Sequence, residues 1–149
     1  LPAFTGCATI IDAGWNPANR WGPRAVELDG HRQPSGNGLE IRPSCRSQVP
    51  HMQTVIVQSL AVNRFPGNGI LVAPAPTGYE GVQLVGTFLG TDATGTVAKP
   101  NGLRGLAVDA PYASVGTFSS IMSGNARSGI FVEQMDARFD GDQAAHAGA

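Results

Sequence analysis

Charge is what this chain has least of. Only 14% of its 149 residues are Asp, Glu, Lys or Arg, against about 25% in an ordinary soluble domain. Between positions 65 and 98 only Glu80 and Asp92 are charged. A free domain normally spreads more charge over its surface. Either another chain covers part of this one, or Thr, Ser and Asn coat it. The net charge is −1, which gives no electrostatic footprint for nucleic acid. Lysine is nearly missing: nine of the ten basic residues are Arg, and Lys99 is the exception. No apolar run approaches the roughly 18 residues of a membrane-spanning helix. Cysteine is scarce too. Cys7 and Cys45 either close a loop, for about 4 kcal/mol on the chain-entropy model, or stay as small buried thiols.

Reactive constellations are also missing. Gly90-Thr-Asp-Ala-Thr-Gly95 starts like a phosphate loop, but the cation comes at Lys99 rather than directly after the second glycine, where such a loop needs it. His31, His51 and His146 are scattered, and none stands at metal-ligand spacing from another ligand. Asp136, Asp140 and Asp142 offer too few oxygens for calcium. Ser119, Ser120 and Ser123 lack the Gly-x-Ser-x-Gly elbow. No two of Glu27, Asp29, Glu40 and Glu80 stand out as an acid–base pair. No catalytic residue, metal or cofactor is expected, and the chain reads as a protein that is not an enzyme.

What the chain does have is short β-forming runs cut by Gly, Pro, Asn and Ser. Apolar residues make up 42%, enough for the core of one domain. Residues 1–53 hold six of the eleven prolines, both tryptophans and five of the nine arginines. They read as an extended N-terminal arm with short strands near 7–11, 24–28 and 39–42. Residues 54–135 read as the β-domain, with strands at 54–62, 70–73, 81–89, 96–98, 103–109, 115–122 and 129–135. Residues 54–62 are apolar on both faces, so that strand is expected to be central and covered on both sides. Residues 136–149 read as a flexible acidic tail. Spacings of about 8–12 residues per strand predict an all-β fold, a small antiparallel β-barrel or sandwich carrying a Pro-rich arm. Val-Gly-Thr-Phe occurs at 85–88 and again at 115–118, too few copies to define a solenoid.

One cluster suits recognition. Trp15, Arg20, Trp21 and Arg24 are the residue types that anchor interfaces through large area and directional contacts. They are the candidate partner-binding residues, with core packing and sugar stacking as the other uses of the tryptophans.

The run Leu103-Arg-Gly-Leu-Ala-Val-Asp-Ala, followed after a small-residue turn by Val115-Gly-Thr-Phe-Ser-Ser-Ile-Met-Ser-Gly, resembles part of the small head-decoration proteins of tailed phages. The upstream strand Gly81–Leu89 fits the same layout, so that about 55 residues take part. The resemblance implies a structural virion protein, assembled in the host cytoplasm, that binds and stabilises the capsid surface. Its partners would be the major capsid protein and copies of itself, in a homo-oligomer that could be a trimer. Residues 1–53 are longer and richer in Pro and Trp than the arm usual there. The alternative is a secreted carbohydrate-binding or adhesive β-module. Neither reading involves nucleic acid or a membrane.

Overall fold

Every strand-like run ends within a few residues because a turn-former interrupts it. A computed structural model describes residues 3–5, 9–14, 18, 24, 26–42, 54–74, 81–110, 113–133 and 138–141, with backbone only at 54 and 138–141. Within them are thirteen strands. A first circuit holds β1 (Ile10–Asp12), β2 (Val26–Asp29) and β3 (Leu39–Ile41). A second holds β4 (Thr54–Gln58), β5 (Leu60–Asn63) and β6 (Ile70–Val72). The third is β7 (Gly81–Val85), β8 (Phe88–Leu89) and β9 (Leu106–Val108). The fourth is β10 (Ser114–Phe118), β11 (Ile121–Met122) and β12 (Ile130–Val132), and β13 (Arg138–Gly141) opens a fifth.

Consecutive strands fall in different sheets, and each pairs in parallel with the strand one circuit away. The sheets run β1-β4-β7-β10-β13, β2-β5-β8-β11 and β3-β6-β9-β12. The chain is thus all-β and a parallel solenoid. This corrects the antiparallel barrel or sandwich expected from sequence. The Gly, Asn and Ser residues turn the corners of a coil instead of closing hairpins. Asn101 and Gly102, suited to a positive-φ turn, have no positive φ. The described strands of residues 1–53, read as an arm, are hydrogen-bonded beside β4, β5 and β6. Of the tail, residues 138–141 pair with β10.

The corner between the first and second sheets shows how sequence sets this path. Ser59, Gly86 and Ser119 follow β4, β7 and β10 directly, with φ of 59°, 56° and 51°. One left-handed residue there turns the chain and shifts the inside–outside phase. Val55 and Val57 therefore point inward, and so do Leu60 and Val62. Residues 54–62 look apolar on both faces because two strands of opposite phase are joined, not because one strand is covered on both sides. The repeated Val-Gly-Thr-Phe is a coincidence of composition. Val82 lies opposite Val115, and Val85 opposite Phe118, so the copies are out of register.

Inside, like stacks on like. Val55, Val82 and Val115 form one row, with Val57, Leu84 and Thr117 beside it. The second sheet adds Leu28, Val62, Leu89 and Met122. The third adds the row Leu39, Ile70, Leu106 and Ile130, and the row Ile41, Val72, Val108 and Val132. Each fully buried aliphatic side chain contributes about 1.5–3 kcal/mol. In the third sheet every strand follows a glycine: Gly38, Gly69, Gly105 and Gly129. A Cβ on Gly69 would lie 2.8 Å from the Gly105 carbonyl oxygen, and one on Gly105 would lie 2.7 Å from that of Gly129. The coils close-pack there only because the side chain is absent.

Polar side chains then staple coil to coil. Buried Asn101 accepts from the Phe65 N–H at 3.1 Å and donates to the Val62 carbonyl at 3.2 Å and to Asn125 Oδ1 at 2.9 Å. Asn125 donates in turn to the Leu89 carbonyl at 2.9 Å. At the same corner one circuit earlier, Asn68 donates through its backbone N–H and Nδ2 to Asn37 Oδ1. These bonds satisfy corner groups that the short strands leave unpaired, as burial demands.

Candidate binding surfaces

Two outer surfaces stand out, one covered and one open. The covered one is the outside of the second sheet. Ala61 and Phe88 lie opposite each other there, pointing away from the core, yet both are fully buried. Their cover is a strap within residues 90–105, the long link between β8 and β9. The links at 64–69 and 123–129 in the neighbouring circuits are shorter. Thr91 and Ala98 bridge antiparallel, and the Asp92 N–H donates to the Val97 carbonyl. The Asp92 carboxylate accepts from Thr94 Oγ1 and from the N–H groups of Thr96 and Val97. This tip is internally satisfied.

The strap is tied down from below. Lys99 Nζ lies 2.6 Å from Glu27 Oε1, and this bond holds the Glu27 carboxyl below its ordinary pKa. Asn63 Nδ2 donates to Glu27 Oε1 and to the Thr91 carbonyl, both at 2.8 Å. The Arg24 N–H donates to the Ala93 carbonyl at 2.6 Å. Its guanidinium, largely buried, lies over the Phe88 ring at 4.3 Å, a cation–π contact. Lys99, the cation of the phosphate-loop-like run, is thus committed to Glu27. Beside the strap is an open cleft of about 180 Å³ lined by Thr91, Gly95, Thr96, Ala98, Ile121, Ser123 and Gly124.

Of the four candidate partner-binding residues, the structure places only Arg24, beneath the strap. Trp15, Arg20 and Trp21 lie outside the described residues, as do Cys7, Cys45, His51, His146, Asp136 and Asp142. His31 is exposed on the loop after β2, with Nδ1 3.1 Å from Asp29 Oδ1 and Nε2 accepting from Arg32. Ser120 is spent on the corner between the first two sheets. No three His, Cys, Asp or Glu side chains converge on a metal position among the described residues. No described helix is long and apolar enough to cross a membrane.

The open surface is the outside of the first sheet. With Val55, Val57, Val82, Leu84, Val115 and Thr117 inward, the outward rows across β4, β7 and β10 are Ile56, Gln83, Gly116 and Gln58, Val85, Phe118. Gln83 and Phe118 are exposed, the ring by 42%, and the others are half-buried. No described side chain of these three strands carries charge. Amides that both donate and accept therefore stand beside an exposed ring and aliphatic patches, on strands about 4.8 Å apart. Gln58, Gln83 and Phe118 were not candidates from sequence. The alternation along 81–85 and 114–118 exposes them once the inward valines are known.

No family model, curated protein or solved structure matches this chain.

Proposed function

We propose that this chain is a non-catalytic binding module whose ligand is a neutral polysaccharide laid across β4, β7 and β10. One observation carries the reading: across β4, β7 and β10 the outward rows of the first sheet combine Gln58 and Gln83 with Phe118 and carry no charge, the row of Gln58 ending on β1 at Asp12. Sugar hydroxyls are read by groups that donate and accept, and a ring face takes the C–H side of a pyranose. With no cation on β4, β7 or β10 and the Asp12 carboxylate on β1 opposite Gln58, these strands offer nothing to a phosphate or carboxylate polymer. Regular strand spacing suits a repeating ligand, and coils that contact only their neighbours make a rigid elongated support.

Affinity electrophoresis tests this, with native gels containing a neutral glucan, galactan, mannan or xylan, or an anionic polymer. At least one neutral polymer should retard the protein, and the Gln83→Ala/Phe118→Ala double variant should migrate freely with an unchanged melting temperature. Equal mobility in every neutral gel would overturn the reading, as would retardation that the double variant retains.

A second reading is a structural subunit that binds and stabilises a phage capsid. The thin charge of residues 65–98 and the likeness of residues 103–124 to head-decoration proteins favour it. It predicts co-sedimentation with capsids and a raised capsid melting temperature, neither of which a glycan module would give.

A further inference from the structure

The cations of this nearly neutral chain are not spread evenly. The chain turns from the second sheet to the third through residues 30–38, 64–69, 99–105 and 123–129 in successive circuits. These four segments lie on one another. The Gly67 N–H donates to the Gly36 carbonyl, the Leu103 N–H to that of Gly67, and the Arg127 N–H to that of Leu103. Seven Lys or Arg side chains are described, and five belong to this one corner: Arg32, Arg64, Lys99, Arg104 and Arg127. No Asp or Glu lies in any of the four segments. The result is a basic edge along the coil, with about 4.8 Å from one circuit to the next.

Two of the five cations are already committed. Lys99 pairs with Glu27, and Arg64 with Asp29. Arg32, Arg104 and Arg127 have no carboxylate partner among the described residues. Arg32 and Arg127 are exposed, and Arg32 donates to the neighbouring His31 ring. Arg104 is held differently. Its guanidinium lies 3.7 Å from the centre of the Phe131 ring, so it reaches from the third circuit onto the fourth, where Arg127 also stands. The ring fixes one face of the guanidinium and leaves its N–H edge for a ligand. Two forks from adjacent circuits, one of them pre-oriented, suit oxyanions that each accept two bonds at once.

From this we infer that the edge binds an acidic polysaccharide, its carboxylate or sulfate groups held by Arg104 and Arg127 and, further along, by Arg32. A polymer fits better than a lone ion because the cations step along the axis from circuit to circuit. Nucleic acid fits worse. A single strand needs free rings for its bases, and here Phe65 is buried and Phe131 lies under Arg104. A duplex needs an element that enters a groove, and a corner of short turns supplies none. The inference goes beyond the neutral-glycan reading and does not rest on it. The corner joins the second and third sheets, so it lies across the core from the first, and both polymers can be held together.

Affinity gels containing polygalacturonate or dextran sulfate read this out, the first presenting carboxylates and the second sulfates. At least one should retard the wild type, and added salt should weaken the retardation, as it does for exposed charges. Arg104→Gln/Arg127→Gln should lose about tenfold or more in affinity for that polymer. Its melting temperature and its mobility in neutral-polysaccharide gels should match the wild type. Gln83→Ala/Phe118→Ala should keep its retardation by the acidic polymer, so the two readings fail separately. Arg127→Gln alone, at an exposed side chain, should give part of the loss if the double variant melts early. Free mobility of the wild type in both acidic gels overturns the inference, as does retardation that survives the double variant. Single-stranded DNA bound as tightly as the acidic polymer also overturns it, since the edge would then serve nucleic acid.

Discussion

The hydroxyl of Ser120 accepts a hydrogen bond from the backbone N–H of Thr87 at 3.1 Å, joining equivalent corner positions of successive coils. Ser120 also donates to the Leu84 carbonyl at 3.2 Å, as the Thr87 hydroxyl donates to the Val57 carbonyl at 3.1 Å. Both residues are completely buried. Removing one hydroxyl strands two backbone groups away from water. Ser120→Ala should therefore cost about 1–3 kcal/mol in urea unfolding, with an unchanged m-value.

Thr117 gives the opposite expectation. It sits in the inward row with Val57 and Leu84, and its buried hydroxyl has no hydrogen-bond partner. Thr117→Val removes an unsatisfied group and keeps the shape. The unfolding free energy from urea titration should rise by about 1 kcal/mol or more.

The glycine column should tolerate nothing larger. A Cβ on Gly105 would meet the Gly129 carbonyl at 2.7 Å and the Asn125 amide at 2.8 Å. Both are held in the inter-coil stack and cannot give way cheaply. Gly105→Ala should lose about 1–3 kcal/mol, read by thermal melts monitored at the β-sheet circular dichroism minimum.

Acid should weaken the fold in a defined window. A hydrogen bond from Arg64 holds the Asp29 carboxyl at about 2, below its ordinary 3.8, with the His31 N–H helping and burial opposing. A carboxylate depressed in the folded state stabilises it fully above the unfolded pKa, and that contribution is lost as pH falls through about 2. Stability should drop between about pH 4 and pH 2. Asp29→Asn should be less stable at neutral pH and show a shallower drop.

The β-character was legible in the sequence, but its direction was not. Runs such as 54–62 and 81–89 were visible, yet each conceals a left-handed corner at Ser59 or Gly86 that splits it into strands of opposite phase. Periodicity cannot see such a corner when the residue is an ordinary serine. The repeat was hidden because its step varies: Thr54 lies opposite Gly81, Gly81 opposite Ser114, and Ser114 opposite Arg138. The strap of 90–105 alone displaces the third circuit. A usable signal did exist. Gly-aliphatic-x-aliphatic recurs at 38–41, 69–72, 105–108 and 129–132, with asparagine one or four residues ahead of each glycine. The candidate site was less legible. The aromatic–basic cluster was found by residue type, but the outer face of the first sheet becomes a surface only when β4, β7 and β10 stand side by side.

Chemical-shift mapping tests the central claim most directly. In an isotope-labelled sample titrated with oligosaccharides of the retarding polysaccharide, the backbone and side-chain amides of Gln58 and Gln83, the backbone amide and ring of Phe118 and the methyls of Ile56 and Val85 should shift together. The strap around Thr91–Ala98 should stay still. Shifts confined to the cleft of Thr91, Thr96 and Ser123, or no saturable shift on the first sheet, would contradict the account.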